Sequence, residues 1–118
     1  ELMLQTVNGN LQNQPVEFIN KSSICVVLAA KGYPEEYQKN TEIRNLINAE
    51  NSAQNILIFH SGTKKNDDKI LAIGGRVLGV VALSEDIKQA RIDAYKAVDL
   101  IDWNEGFCRR DIGLKAII

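Results

Sequence analysis

The sequence has 118 residues, enough for one domain with a real core and too few for two. Apolar residues make up 45% and charged residues 25%, the balance of an ordinary globular domain. A net charge of -1 and a pI of about 5.8 give no electrostatic basis for a nucleic-acid or anionic-membrane partner. No apolar run approaches the roughly 20 residues that span a bilayer.

Glu1 to Val7 reads as the tail of a helix that ends at Asn8-Gly9-Asn10, where glycine suits a left-handed cap. A chain that opens on Glu1 in mid-pattern is expected to be an excerpt of a longer polypeptide. A polar segment with Asn13, Gln14 and Pro15 leads to a short strand candidate, Val16-Glu17-Phe18-Ile19.

Ile24 to Ala30 is a continuous apolar run rich in β-branched residues, predicted to be a fully buried strand. Cys25 within it is expected to be a buried, reduced thiol. Cys108 adds no metal or redox spacing. Lys31-Gly32-Tyr33-Pro34 turns the chain, and the polar stretch that follows allows one turn of helix near Ile43 to Ile47. Asn55 to His60 is a second strand. Asn66-Asp67-Asp68 supplies turn residues.

Lys69 to Leu83 places two aliphatic runs either side of Gly74-Gly75, the chemistry of a tight primed hairpin turn. Arg76 leaves that turn as either a surface charge or a preorganised anion contact. The strands taken in order predict an antiparallel meander. Beyond Ser84, a possible N-cap, Ile87, Ala90, Ala94, Ala97, Val98 and Ile101 recur at helical spacing. An amphipathic helix over about 85–100 should therefore cover one sheet face. Trp103 to Phe107 reads as a loop.

Five pieces then occur in a telling order. They are Cys25 to Pro34, Phe59 to Lys64, Gly74 to Val80, Ala90-Arg91 with Ala94-Tyr95, and Arg109 to Gly113. Together they resemble the C-terminal domain of the phosphoribosylamine–glycine ligase (glycinamide ribonucleotide synthetase) family, over about Ser22 to Gly113. The resemblance implies an α+β fold, mostly antiparallel, with a rudimentary barrel-sandwich hybrid-like sheet under the long helix. It divides the chain into a connection from ATP-grasp lobes (1–20) and the C-terminal domain (21–118). It also implies a cytoplasmic enzyme of purine biosynthesis that joins glycine to 5-phosphoribosylamine, using ATP and Mg²⁺ or Mn²⁺. The family's ATP-binding lobes and magnesium-holding Glu-x-Asn motif have no counterpart in these residues. The fragment alone is accordingly expected to bind no cofactor or metal, to contain no catalytic residue and to be inactive.

The resemblance makes Arg76 the leading contact for a substrate phosphate, since a guanidinium can give two charge-assisted bonds to it. Gly75 beside it belongs to the same substrate-binding set. Lys64, with Lys65 as its neighbour and competitor, could complete a two-cation clamp if it points to the same side. Lys31 and Gly32, at the end of the first strand, could line the cleft or simply punctuate a turn. His60 is expected to be a hydrogen-bonded structural residue. Arg109, Arg110 and Asp111 should form ion pairs that lock the C-terminal segment, and Asp67-Asp68 is a turn rather than a metal site. The competing reading is a stand-alone barrel-sandwich carrier or interaction module. Such carriers present a lysine between methionines, and the single methionine, Met3, is far from any hairpin.

Overall fold

The structure, a computed structural model, describes residues 1–13 and 15–118. Gln14, in the polar connection, lies outside the described residues.

The architecture follows from one strand that alternates in burial and the long strand paired with it. β1 (Ser22–Ala30) turns Ile24, Val26 and Leu28 inward and Cys25 and Val27 outward. β6 (Arg76–Ser84) pairs with it antiparallel from Ser22↔Ser84 to Leu28↔Leu78. β3 (Ile56–His60) lies on the other side of β6, and β7 (Gly106–Phe107) on the other side of β1. The order is therefore β3-β6-β1-β7. A second sheet holds β2 (Thr41–Ile43), β5 (Lys69–Ala72) and β4 (Thr63–Asn66), in the order β2-β5-β4.

This arrangement corrects the expected meander, because β6 separates β1 from β3. It also corrects the expected Gly74-Gly75 hairpin. β5 and β6 belong to different sheets, and neither glycine has positive φ. The tight hairpin is instead β4–β5, closed by Asp67-Asp68 with Asp67 at φ 52°. Gly74 and Gly75 are needed for close approach. The backbone of Gly62 lies against Gly74, and a Cβ on Gly75 would overlap the Tyr33 ring.

α3 (Ile87–Leu100) packs on β1 and β6 through Ala90, Ala94, Tyr95, Ala97 and Val98. The alanines let the helix sit close to the sheet, over Val26, Leu28, Leu78 and Val80, which are at most 5% exposed. Burying each of these aliphatic side chains contributes about 1.5–3 kcal/mol. The helix starts later than expected. Asp86, not Ser84, caps it by accepting the Gln89 N–H at 2.8 Å, and the Ser84 hydroxyl turns to Asp93 at 2.9 Å.

Several smaller expectations shift as well. α1 (Leu2–Val7) ends as read, with Gly9 at φ 68°. Val16 to Ile19 pairs with no strand among the described residues, and its apolar residues are exposed. The short helix, α2 (Leu46–Glu50), falls after Ile43, which belongs to β2. Within the expected loop 103–107, Trp103 is buried and Gly106-Phe107 adds the edge strand.

The predicted burial of β1 holds for one face only. α3 covers the inner face, while Val27, Leu57 and Phe59 on the outer face are 45%, 46% and 56% exposed. Cys25 shares that outer face and is exposed, which overturns its expected burial. An alternating strand was disguised by apolar residues on both of its sides. No helix among the described residues is long and apolar enough to cross a membrane.

Candidate functional site

The uncovered sheet face carries a cleft whose shape begins with register. Val27, Gly79 and Phe59 stand in one cross-strand row, so the middle position contributes no side chain. A Cβ there would reach within 3.3 Å of the Cys25 sulfur. The resulting depression is lined by Cys25, Val27, Phe59 and Gly79, and closed at one end by Tyr33, Ser61, Gly62, Gly75 and Arg76. A second depression continues from it past Ala29 and Arg76 to Phe107 and Arg109.

Arg76 reaches this face because of a β-bulge. Leu28 pairs with Leu78, but Ala29 pairs with Arg76, leaving Val77 as an extra residue. Leu78, Val80 and Ala82 face the helix, and simple alternation would send Arg76 the same way. The bulge instead puts it opposite Ala29, on the side of Cys25 and Val27. Arg76 is exposed, and its guanidinium has no hydrogen-bond or ion-pair partner among the described residues.

The other expected site residues separate. Gly75 lies in the cleft with Arg76. Lys64 belongs to β4 in the smaller sheet, paired with Leu71, and is not among the cleft's lining residues. Lys31 donates through Nζ to the Asn104 carbonyl, while its backbone N–H donates to Glu105 at 2.8 Å. Gly32 adopts φ 99° in the turn, where a Cβ would overlap the Glu36 carbonyl, and it too lies outside the cleft. Tyr33, Phe59 and Gly79 are cleft residues that sequence reasoning did not single out. Gly79, a glycine inside a strand, was the available signal for a hollow.

The flanking polar residues make contacts within the domain. His60 Nδ1 and Thr63 Oγ1 lie 3.0 Å apart across the Ser61-Gly62 turn, in line with the structural reading of this histidine. Arg109 pairs with Asp111 at 2.6 Å and Arg110 with Asp99 at 2.5 Å. The Tyr95 hydroxyl donates to the Arg109 carbonyl and accepts the Ile112 N–H, and Arg91 donates to the carbonyls of Arg110 and Ile112. The 109–112 segment is thus tied to α3. Another depression, bordered by Glu42 to Asn48 and Asp68 to Ile70, contains none of the predicted site residues. Among the described residues no group of three or more His, Cys, Asp or Glu side chains could hold a metal ion.

Fold and cleft together define an open-sheet α+β domain with a helix on one face and, on the other, an apolar hollow bordered by Arg76. Residues 23–115 match the family model described as "Phosphoribosylglycinamide synthetase, C domain". The chain belongs to that family. It is 41% identical to a phosphoribosylamine–glycine ligase of Rhodopirellula baltica, over 100% of this chain and 27% of the relative. It is 40% identical to the chloroplastic phosphoribosylamine–glycine ligase of Arabidopsis thaliana, over 99% of this chain and 22% of the relative. The crystal structure of the phosphoribosylamine–glycine ligase of Thermotoga maritima superposes with a TM-score of 0.76 at 32% identity, covering 93% of this chain and 26% of that one. The chain spans about a quarter of the length of these relatives.

Proposed function

We propose that this chain is the substrate-facing C-terminal domain of a ligase that joins glycine to 5-phosphoribosylamine, cleaving ATP to ADP and phosphate, in purine biosynthesis. Residues 21–118 form the domain, and residues 1–20 connect it to ATP-grasp lobes of a cytoplasmic enzyme. Family membership supports this reading over a free-standing carrier, as does the absence of methionine beside the lysines of the β4–β5 hairpin.

The observation that carries the site assignment is Arg76 itself, an unpaired guanidinium aimed by a bulge into a cleft. A cation whose donors are unspent can meet an incoming phosphate without first breaking an internal pair. Its catalytic contribution is positioning and charge stabilisation of the bound ribonucleotide. Gly75 belongs to the same contact through its backbone. Lys64, Lys31 and Gly32 are weaker members. Lys64 sits on another sheet, and Lys31 would have to give up Asn104 to reach a ligand.

The described residues provide neither a metal-ligand cluster nor a phosphate-cradling glycine loop at a helix start. The family reading assigns ATP and its Mg²⁺ or Mn²⁺ to the ATP-grasp lobes of the ligase, and no step here runs through them. The test is Arg76→Ala in the full-length ligase. Loss of a charge-assisted phosphate contact is worth about 1.5–3 kcal/mol, and should raise the KM for 5-phosphoribosylamine by roughly 10- to 150-fold with little change for ATP. Equal effects on both substrates, or none, would remove Arg76 from the site.

A further inference from the structure

We propose that Tyr33 is the positioning residue for Arg76, holding from one side the backbone from which that arginine projects. The inference rests on the reading of Arg76 as an anion contact and adds to it a residue that has no assigned part.

The Tyr33 ring lies directly on Gly75. A Cβ built on Gly75 would fall within 2.1 Å of Cδ2 and 2.6 Å of Cε2, so the contact is between that edge of the ring and bare backbone. Main-chain bonds close the same corner. The Ala30 N–H donates to the Gly75 carbonyl at 2.8 Å, and the Tyr33 N–H donates to the Ala30 carbonyl at 3.0 Å. The Gly62 carbonyl accepts from Ile73 at 2.8 Å and from Gly74 at 3.1 Å. A Cβ on Gly62 would also press on the Arg76 carbonyl, at 2.6 Å. Residues 73–76 are thus in close contact with both Tyr33 and Gly62.

This contact matters because, beyond the pairing of Arg76 with Ala29, no side-chain partner among the described residues holds the arginine. Arg76 has no side-chain partner among the described residues, so its aim is inherited from its backbone and from the walls around it. Tyr33 supplies one of those walls, since it borders both depressions that Arg76 borders. The Tyr33 hydroxyl has no hydrogen-bond partner among the described residues, which makes the ring itself the working part. A cation on a fixed backbone loses less freedom when it binds its anion than one whose backbone must also be ordered. Rigidity under Arg76 therefore appears as affinity for the phosphate-bearing substrate.

The experiment compares Tyr33→Ala, Gly75→Ala, Tyr33→Phe and Arg76→Ala in the full-length ligase. Tyr33→Ala and Gly75→Ala, the latter displacing the ring, should each raise the KM for 5-phosphoribosylamine about tenfold. The KM for ATP should move less than twofold. Tyr33→Phe should restore the low KM, and Tyr33→Ala placed on Arg76→Ala should add less than twofold. Tyr33→Leu, which keeps an apolar side chain but not the ring that reaches Gly75, carries the same expectation if Tyr33→Ala does not fold. An unchanged KM, a parallel rise for ATP, full additivity with Arg76→Ala or loss in Tyr33→Phe would each overturn the role. If Arg76→Ala raises the KM but Tyr33→Ala does not, only the positioning role falls. If Arg76→Ala has no effect, the phosphate reading falls and takes the positioning role with it.

Discussion

The Trp103 indole N–H donates to the Thr41 hydroxyl at 2.8 Å, and both residues are buried. This bond joins the start of β2 to the segment after α3, and the Trp103 ring leaves no room for a Cβ on Gly106. A buried donor stripped of its acceptor costs about 1–3 kcal/mol, more than the net gain from the bond. Thr41→Val should therefore destabilise by that amount in urea unfolding. Adding Trp103→Phe should cost less than the sum of the two single changes, because it removes the stranded donor. Strict additivity would show that the two groups are not coupled.

Tyr95 holds the C-terminal segment by two bonds through one oxygen, to Arg109 at 2.7 Å and from Ile112 at 3.1 Å. Tyr95→Phe keeps the ring and removes both. Each is worth about 0.5–1.5 kcal/mol, and the loss should be local. Hydrogen exchange at the Ile112 amide should accelerate by at least several-fold, while the amides of Val26 and Val80 in the central pair keep their rates. Uniform acceleration would mean that the segment is part of the global folding unit.

Arg109 holds the Asp111 carboxyl below the usual carboxylate range, first through their hydrogen bond and then through charge. A depressed folded-state value gives a contribution present above the ordinary carboxylate pKa and lost as pH falls through the depressed one. Both groups are fully exposed, so the readout is the titration rather than global stability. The Asp111 carboxyl followed by NMR should protonate at higher pH in Arg109→Gln than in the unaltered chain. Identical midpoints would dissolve the pair in solution.

Cys25 lies on the open face, but its apolar neighbours push the thiol above its ordinary value. Since the thiolate is the nucleophile, alkylation at pH 7 should be slower than for a free thiol and should rise steeply above pH 9. A rate that plateaus near neutrality would contradict the desolvated environment. Phe59→Ser should bring the reaction toward that of a free thiol by admitting water.

Much of the fold was legible because its signals are local. The alanine row of α3 at helical spacing, the aliphatic runs of β1, β3 and β6, and Asp67-Asp68 all announce themselves within a few residues. Pairing was harder. Gly74-Gly75 looks like a turn from composition, yet these glycines serve a contact with Gly62 and Tyr33 that only the folded chain supplies. The same limit hid the exposure of Cys25, since Val27, Leu57 and Phe59 are as apolar outside as Val26 and Ile56 are within.

The candidate site shows the same division. A family resemblance makes Arg76 and Gly75 candidates, and both border the cleft. The extra residue at Val77 that turns Arg76 to the open face leaves no trace in composition. Lys31 looked free in sequence because its acceptor, the Asn104 carbonyl, belongs to a segment far along the chain. Lys64 looked adjacent to Arg76 only while a meander was assumed.

One consequence of the β3-β6-β1-β7 order concerns the birth of the protein. β1 finds no partner in the residues that follow it closely, for its two neighbours begin at Arg76 and Gly106. On the ribosome, Ile24, Val26 and Leu28 must wait unpaired until most of the domain has been synthesised. Such long-range closure slows folding and leaves a sticky edge in the meantime. The polypeptide is most vulnerable to aggregation in that interval.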